Sequence, residues 1–148
     1  MSIYNLGVLC YGEYKTNLIN YKTEEYEMVE NREEKIEALK VAKDYCKRLE
    51  NGMETLTKEL RGERLPDTGE YLKTVVNGLN WIIEVYNATS DLVNENENVI
   101  DKDTVNEQTT KLNSALKQND DALIADTLEN GIVPFLEKLQ SAIEQIEN

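Results

Sequence analysis

Apolar side chains recur at intervals of three and four along most of the chain, and runs alternating with period two are missing. The clearest stripe is Ile36, Leu39, Ala42, Tyr45, Cys46, Leu49, Met53, Leu56 and Leu60. That spacing lines one face of an α-helix. Asp44 with Arg48 and Glu54 with Lys58 add i,i+4 pairs with the acid first, the favourable order. Gly62 and Pro66 predict the end of this helix. Asp67 or Thr68 is placed to cap the next, whose face is Leu72, Val75, Val76, Leu79, Ile82, Ile83 and Tyr86, extending to Leu92. "NENENVIDKD" then reads as a polar loop. Asp103 or Thr104 is expected to open a short helix carrying Val105, Leu112 and Leu116. "KQNDDA" predicts a turn with Asp120 as a cap. The last helix carries Leu123, Ile124, Leu128, Ile132, Phe135, Leu136, Leu139, Ile143 and Ile146.

Ahead of these, Tyr11, Tyr14, Leu18, Tyr21 and Met28 predict a helix over residues 9–29, with Glu25 at the position where the stripe skips. The fold class that follows is all-α: an antiparallel bundle of four to five helices, one domain over residues 1–148. Within it, residues 1–30 are expected to form a loosely docked N-terminal helix.

Asn-Gly, ordinarily a strong hairpin signal, occurs at Asn51-Gly52, Asn77-Gly78 and Asn130-Gly131, and the helical phase runs across each. Every one of these glycines stands three after one apolar residue and four before another, which places it on the buried face. Glycine inside a helix costs about 1 kcal/mol against alanine. Three such penalties point to close helix crossings at Gly52, Gly78 and Gly131. The alternative is a left-handed cap ending a helix, most plausible at Gly131 because Pro134 then opens a new one. A continuous helix would instead be kinked, because Pro134 has no N–H for the Asn130 carbonyl.

Charge narrows the function classes. The formal net charge is −13. Residues 1–74 hold 15 acidic and 12 basic side chains, whereas residues 75–148 hold 14 acidic and 4 basic. A field of that sign repels nucleic acid and anionic lipid, so neither is an expected partner, and it favours a basic one. No apolar run approaches the length of a membrane span. The first residues carry no Lys or Arg before their short apolar stretch, an unpromising signal peptide. The expected location is the cytoplasm. Cys10 and Cys46 form no metal or redox spacing and are expected to be reduced thiols.

Catalytic chemistry is hard to assemble here. With no histidine, Ser-His and Cys-His pairs, the usual zinc sites and a Glu-x-x-His di-iron site all fall away. No phosphate-binding glycine loop occurs. "DKDTVNE" starts like a calcium loop at Asp101, but Asn106 and Leu112 stand where Gly and Glu are needed. Asp120-Asp121 fits helix-start charge. Trp81 in "GLNWIIEVY" is expected at the core or its edge. The expectation is a non-enzyme without metal or cofactor.

"YGEYKTNLINYKTEE" resembles the opening of flagellin export chaperones, with Tyr11, Tyr14, Asn17 and Thr23 to Glu25 corresponding. The resemblance covers a small fraction of the chain and implies an antiparallel bundle that holds an aggregation-prone helical partner. Two functions are therefore carried forward. One is a protein-binding module that receives a helix in an apolar groove, using Tyr11, Tyr14, Leu18 and Tyr21. The other is an acidic, immunity-type inhibitor that covers a basic surface. Both leave room for a homodimer.

Overall fold

An apolar stripe on a 30-residue helix is stable only when another element covers it. In the computed structural model, which describes residues 32–147, that cover comes from the helix that follows and from the last helical rod. Helix α1 (Arg32–Arg61) turns through residues 62–67 into α2 (Thr68–Val93). Next come α3 (Lys102–Gln118) and α4 (Asp121–Thr127), and a π-helical turn over Leu128–Ile132 leads into α5 (Val133–Glu147). Because α4, the π turn and α5 form one rod, four helical rods are present among the described residues, and no strand. The all-α antiparallel bundle is the observed fold. The expected helix over residues 9–29 lies outside the described residues.

Ion pairs mark the packing directions. Arg32 donates twice to Glu95, at 2.8 and 3.2 Å, and Lys35 Nζ donates to Asp91 Oδ2 at 2.8 Å. The start of α1 therefore meets the end of α2. At the other end of α1, Arg61 reaches Asp126 and Glu129, and Arg64 makes a two-bond pair with Asp121 at 2.8 and 2.7 Å. Gln140 Nε2 donates to Glu50 Oε1 at 3.0 Å, so the last rod runs back along α1.

Leu39, Ala42, Cys46, Leu49, Met53, Leu56 and Leu60 are buried, as their spacing predicts. Helix α2 is more enclosed: Ile82, Ile83, Glu84, Val85 and Tyr86 are buried in succession, so no side of that turn faces water. Tyr86 packs edge-to-face on Phe135, with ring centroids 5.7 Å apart. Its hydroxyl donates to the Ile100 carbonyl at 2.9 Å. Asn94 holds both sides of the same residue, donating to its carbonyl and accepting from its N–H. These bonds tie the loop after α2 down against the core.

Helix ends follow local chemistry, with corrections. Asp67 precedes α2 but its side chain makes no cap bond. Thr68, the first residue of α2, instead ties down the turn ahead of the helix: its hydroxyl accepts from Leu65 N–H at 2.8 Å and donates to Glu59 Oε1 at 2.7 Å. Helix α3 begins at Lys102, ahead of the expected Asp103 or Thr104, with extended Asp101 before it. It ends on Asn119 in the left-handed region, φ 53°, a conformation asparagine tolerates. Asp120 caps α4 as expected, accepting from Leu123 N–H at 3.1 Å.

The region around Pro134 resolves as neither a stop nor a plain proline break. The backbone stays right-handed from Thr127 to Val133, and the Val133 N–H reaches back five residues to the Leu128 carbonyl. Widening the ladder by one residue ahead of Pro134 accommodates a ring that has no N–H to give. Gly131 sits inside that turn, not at a left-handed cap.

Candidate functional site

Beside its core stripe, α1 carries a second one at i, i+4 and i+7: Val41, Tyr45 and Arg48. It faces Thr74, Asn77, Gly78 and Trp81 on α2. Together they line a groove of about 400 Å³. Tyr45 and Trp81 meet edge-to-face, centroids 5.7 Å apart and planes at 86°. The Arg48 guanidinium carbon lies 5.2 Å from the Tyr45 ring centre, within cation–π range. Val41 is 56 % exposed, an unusual state for a large apolar side chain in a helix that buries so many others. Trp81 and Tyr45 are half-buried.

The floor of the groove explains one of the three glycines. A Cβ built on Gly78 would collide with the Tyr45 hydroxyl and stand 2.9 Å from Leu49 Cδ2. The bare backbone of α2 at this point is what lets the Tyr45 ring lie across it and wall the groove. At Gly52 the same construction meets the Tyr71 hydroxyl at 3.0 Å, and at Gly131 it meets the Gln108 side chain. Each glycine thus faces a neighbouring helix, but Gly52 and Gly131 are half-buried and only Gly78 is buried. The close approach is side chain onto backbone, not backbone onto backbone, which corrects the expectation of three buried crossings.

A second depression of about 300 Å³ lies on another flank of α1, where Glu50, Glu54 and Met53 face Glu129 and Glu137. Burial and the nearby Glu137 push the Glu50 carboxyl above the usual glutamate range, while Gln140 and Lys47 oppose that shift. Among the described residues, no group of three His, Cys, Asp or Glu is placed to hold a metal ion, and no helix is long and apolar enough to cross a membrane. Cys46 is fully buried. Burial, and to a lesser degree Glu50, push its thiol up to about 12, so it stays protonated and unreactive near neutrality.

The sequence profile of the family described as Domain of unknown function (DUF8042) matches residues 37–142. The chain belongs to this family. No curated protein and no solved structure matches it. The DUF8042 span takes in both walls of the groove, the acidic depression and the π turn.

Of the candidate site residues named from the sequence, Gly78 alone lines this groove, beside Tyr45 and Trp81, which were expected at the core or its edge. Gly52 and Gly131 lie elsewhere, and Tyr11, Tyr14, Leu18 and Tyr21 lie outside the described residues. The groove residues the sequence reading missed are Val41, Arg48, Thr74 and Asn77. A signal for the α1 wall was present, because Val41 stands off the core stripe yet shares the i+4 position with Tyr45. Tyr45 itself was assigned wholly to the core, whereas it is shared between core edge and groove.

Proposed function

We propose that this protein is a non-catalytic protein-binding module, of export-chaperone or adaptor type, that holds the apolar face of a partner helix between α1 and α2. The observation that carries the reading is the aromatic groove with exposed Val41 at its lip. Helix-in-groove recognition uses anchors at i, i+3 or i+4, and i+7, and a straight trough between two antiparallel helices is the shape that receives them. Half-exposed Trp, Tyr and Arg are the residue types that dominate binding energy at interfaces. Arg48 at the rim suits a partner helix with an acidic flank. The absence of histidine and the protonated state of buried Cys46 support a non-enzyme, and the cytoplasm is its proposed location.

A photo-reactive side chain placed at Val41 of the full chain tests this, with the exposed position Lys111 on α3 as control. In a native cell extract, position 41 is expected to capture a segment with helical apolar periodicity that position 111 does not. A synthetic peptide of that segment should then change the fluorescence of Trp81, the single tryptophan, saturably, and Val41→Glu should abolish the change. Equal capture at both positions, or a peptide that leaves Trp81 unmoved, overturns the reading.

The acidic surface supports a second reading, that of an inhibitor covering a basic partner, because Glu54, Glu129 and Glu137 are exposed on one flank of α1. That reading requires partner affinity to fall steeply with added salt. A groove-bound helix held by apolar contact should lose little.

A further inference from the structure

We propose that the cleft beside the π turn binds a free α-amino acid with an apolar side chain. The proposal is independent of the groove between α1 and α2.

This cleft has a volume of about 290 Å³. Ligand cavities run from about 300 to 1,000 Å³, so its size suits a small molecule rather than a helix. The segment after α2 forms one wall, the first turns of α3 a second, and the π turn with the start of α5 a third. The first wall is fixed in advance, because Tyr86 and Asn94 both bond Ile100. A wall that is already ordered adds little entropy cost to binding.

Opposite charges share the cleft without meeting. Asp101 and Lys138 both line it. Lys138 nevertheless forms no ion pair with Asp101 or with any other of the described residues. The Asp101 carboxylate accepts one bond, from the Thr104 hydroxyl at 3.1 Å, and has further acceptor capacity. A purely anionic ligand is repelled by Asp101, and a purely cationic one by Lys138. A zwitterion satisfies both: its ammonium donates to Asp101 and its carboxylate accepts from Lys138.

The π turn adds neutral partners. Helical carbonyls point along the axis, and that of Asn130 is aimed at Pro134, which has no N–H to give. Both residues line the cleft, so this backbone acceptor is placed for a second ammonium proton. Gln108 lies across the bare backbone of Gly131, where a Cβ would collide with it. Its amide makes no hydrogen bond among the described residues and is placed for the ligand carboxylate. Phe135, Val99 and Pro134 supply apolar surface for the side chain.

The test is a titration of the isotope-labelled full chain with L-leucine, then with valine, isoleucine, methionine and phenylalanine. The signals followed are the Gly131 N–H and the Gln108 side-chain amide. At least one amino acid is expected to shift both saturably. Its amide derivative, which lacks the carboxylate, and its des-amino acid, which lacks the ammonium, should each bind about tenfold more weakly. Lys138→Met should weaken the amino acid about tenfold without weakening the amide. Asp101→Asn keeps a good helix-start residue and should weaken the amino acid about tenfold without weakening the des-amino acid. Both positions are exposed, so the melts should stay cooperative. No saturable shift with any of these amino acids overturns the proposal. So does binding that either analogue matches within about twofold, or that both substitutions leave unchanged.

Discussion

On one flank of α1, Val41, Tyr45 and Arg48 face Gly78 and Trp81 of α2. On another, Glu50 and Glu54 face Glu129 and Glu137 across the π turn. The two depressions have similar size and share a helix, yet one is aromatic and the other acidic. The difference comes from the neighbours. Helix α2 brings a bare backbone and an indole, whereas the last rod brings carboxylates. The result is a spatial asymmetry around α1: acidic side chains line one depression and none lines the other. It separates a surface suited to an apolar helix from one suited to a cation-bearing partner.

The largest expected effect falls on the floor of the acidic flank. Met53 is fully buried and lines that depression from below. Met53→Ala should destabilise the fold by about 2–5 kcal/mol through lost burial and the cavity left behind, read as a lower urea midpoint. If the depression can collapse to fill the gap, the loss should fall to the bottom of that range.

Next come the glycines, which distinguish the aromatic flank from the rest of α1. Gly78→Leu should cost about 1–3 kcal/mol by overpacking Tyr45 and Leu49, despite a better helix propensity. It should also change the emission of Trp81, because Tyr45 must swing away. Gly52→Ala meets only the tip of Tyr71 at a half-exposed site, and should be neutral or stabilising by up to about 1 kcal/mol. A neutral Gly78→Leu would remove the steric role assigned to that position.

The smallest effect is electrostatic and depends on pH. Burial raises the Glu50 carboxyl in the folded state, so its ionised form opposes folding. That penalty is missing below the ordinary glutamate range and grows as pH rises through the folded-state value. Glu50→Gln should therefore stabilise the protein at neutral pH, by under about 1 kcal/mol, and leave the melt unchanged near pH 3. Asp91, Glu95 and Asp121 carry the opposite sign. Bonds from Lys35, Arg32 and Arg64 hold them below the usual carboxylate range. Their contribution is present above that range and is lost as pH falls through the folded-state values. Thermal melts of Glu50→Gln and the unaltered chain from pH 3 to 7 should diverge on the neutral side.

Much of the fold was legible in the spacing. The stripes from Leu39 to Leu60 and from Leu72 to Leu92 are the buried faces of α1 and α2, and Asp120 caps where its position implies. The groove was less legible. Val41 and Tyr45 read as an ordinary widening of an apolar face, and nothing in the local pattern says whether a neighbour covers them. Thr68 illustrates the same limit: its position reads as a cap, yet its hydroxyl serves the preceding turn, bonding Leu65 N–H and Glu59, nine residues back.

The sequence by itself determined the helices, their apolar faces and the chemistry available to them, because the 3.6-residue period and the residue types are local properties. The tertiary structure decided the rest. It turned the Pro134 region into a π turn rather than a break, because the rod had to stay continuous against α1 and α3. It buried one Asn-Gly glycine of three, Gly78 beneath the Tyr45 ring, and left Gly52 half-buried at the tip of Tyr71. It left Val41 exposed beside Trp81, because among the described residues the other helices pack on other faces of the pair. Which apolar surface is core and which is available for binding depends on what comes to lie against it, and no single segment of the chain contains that information.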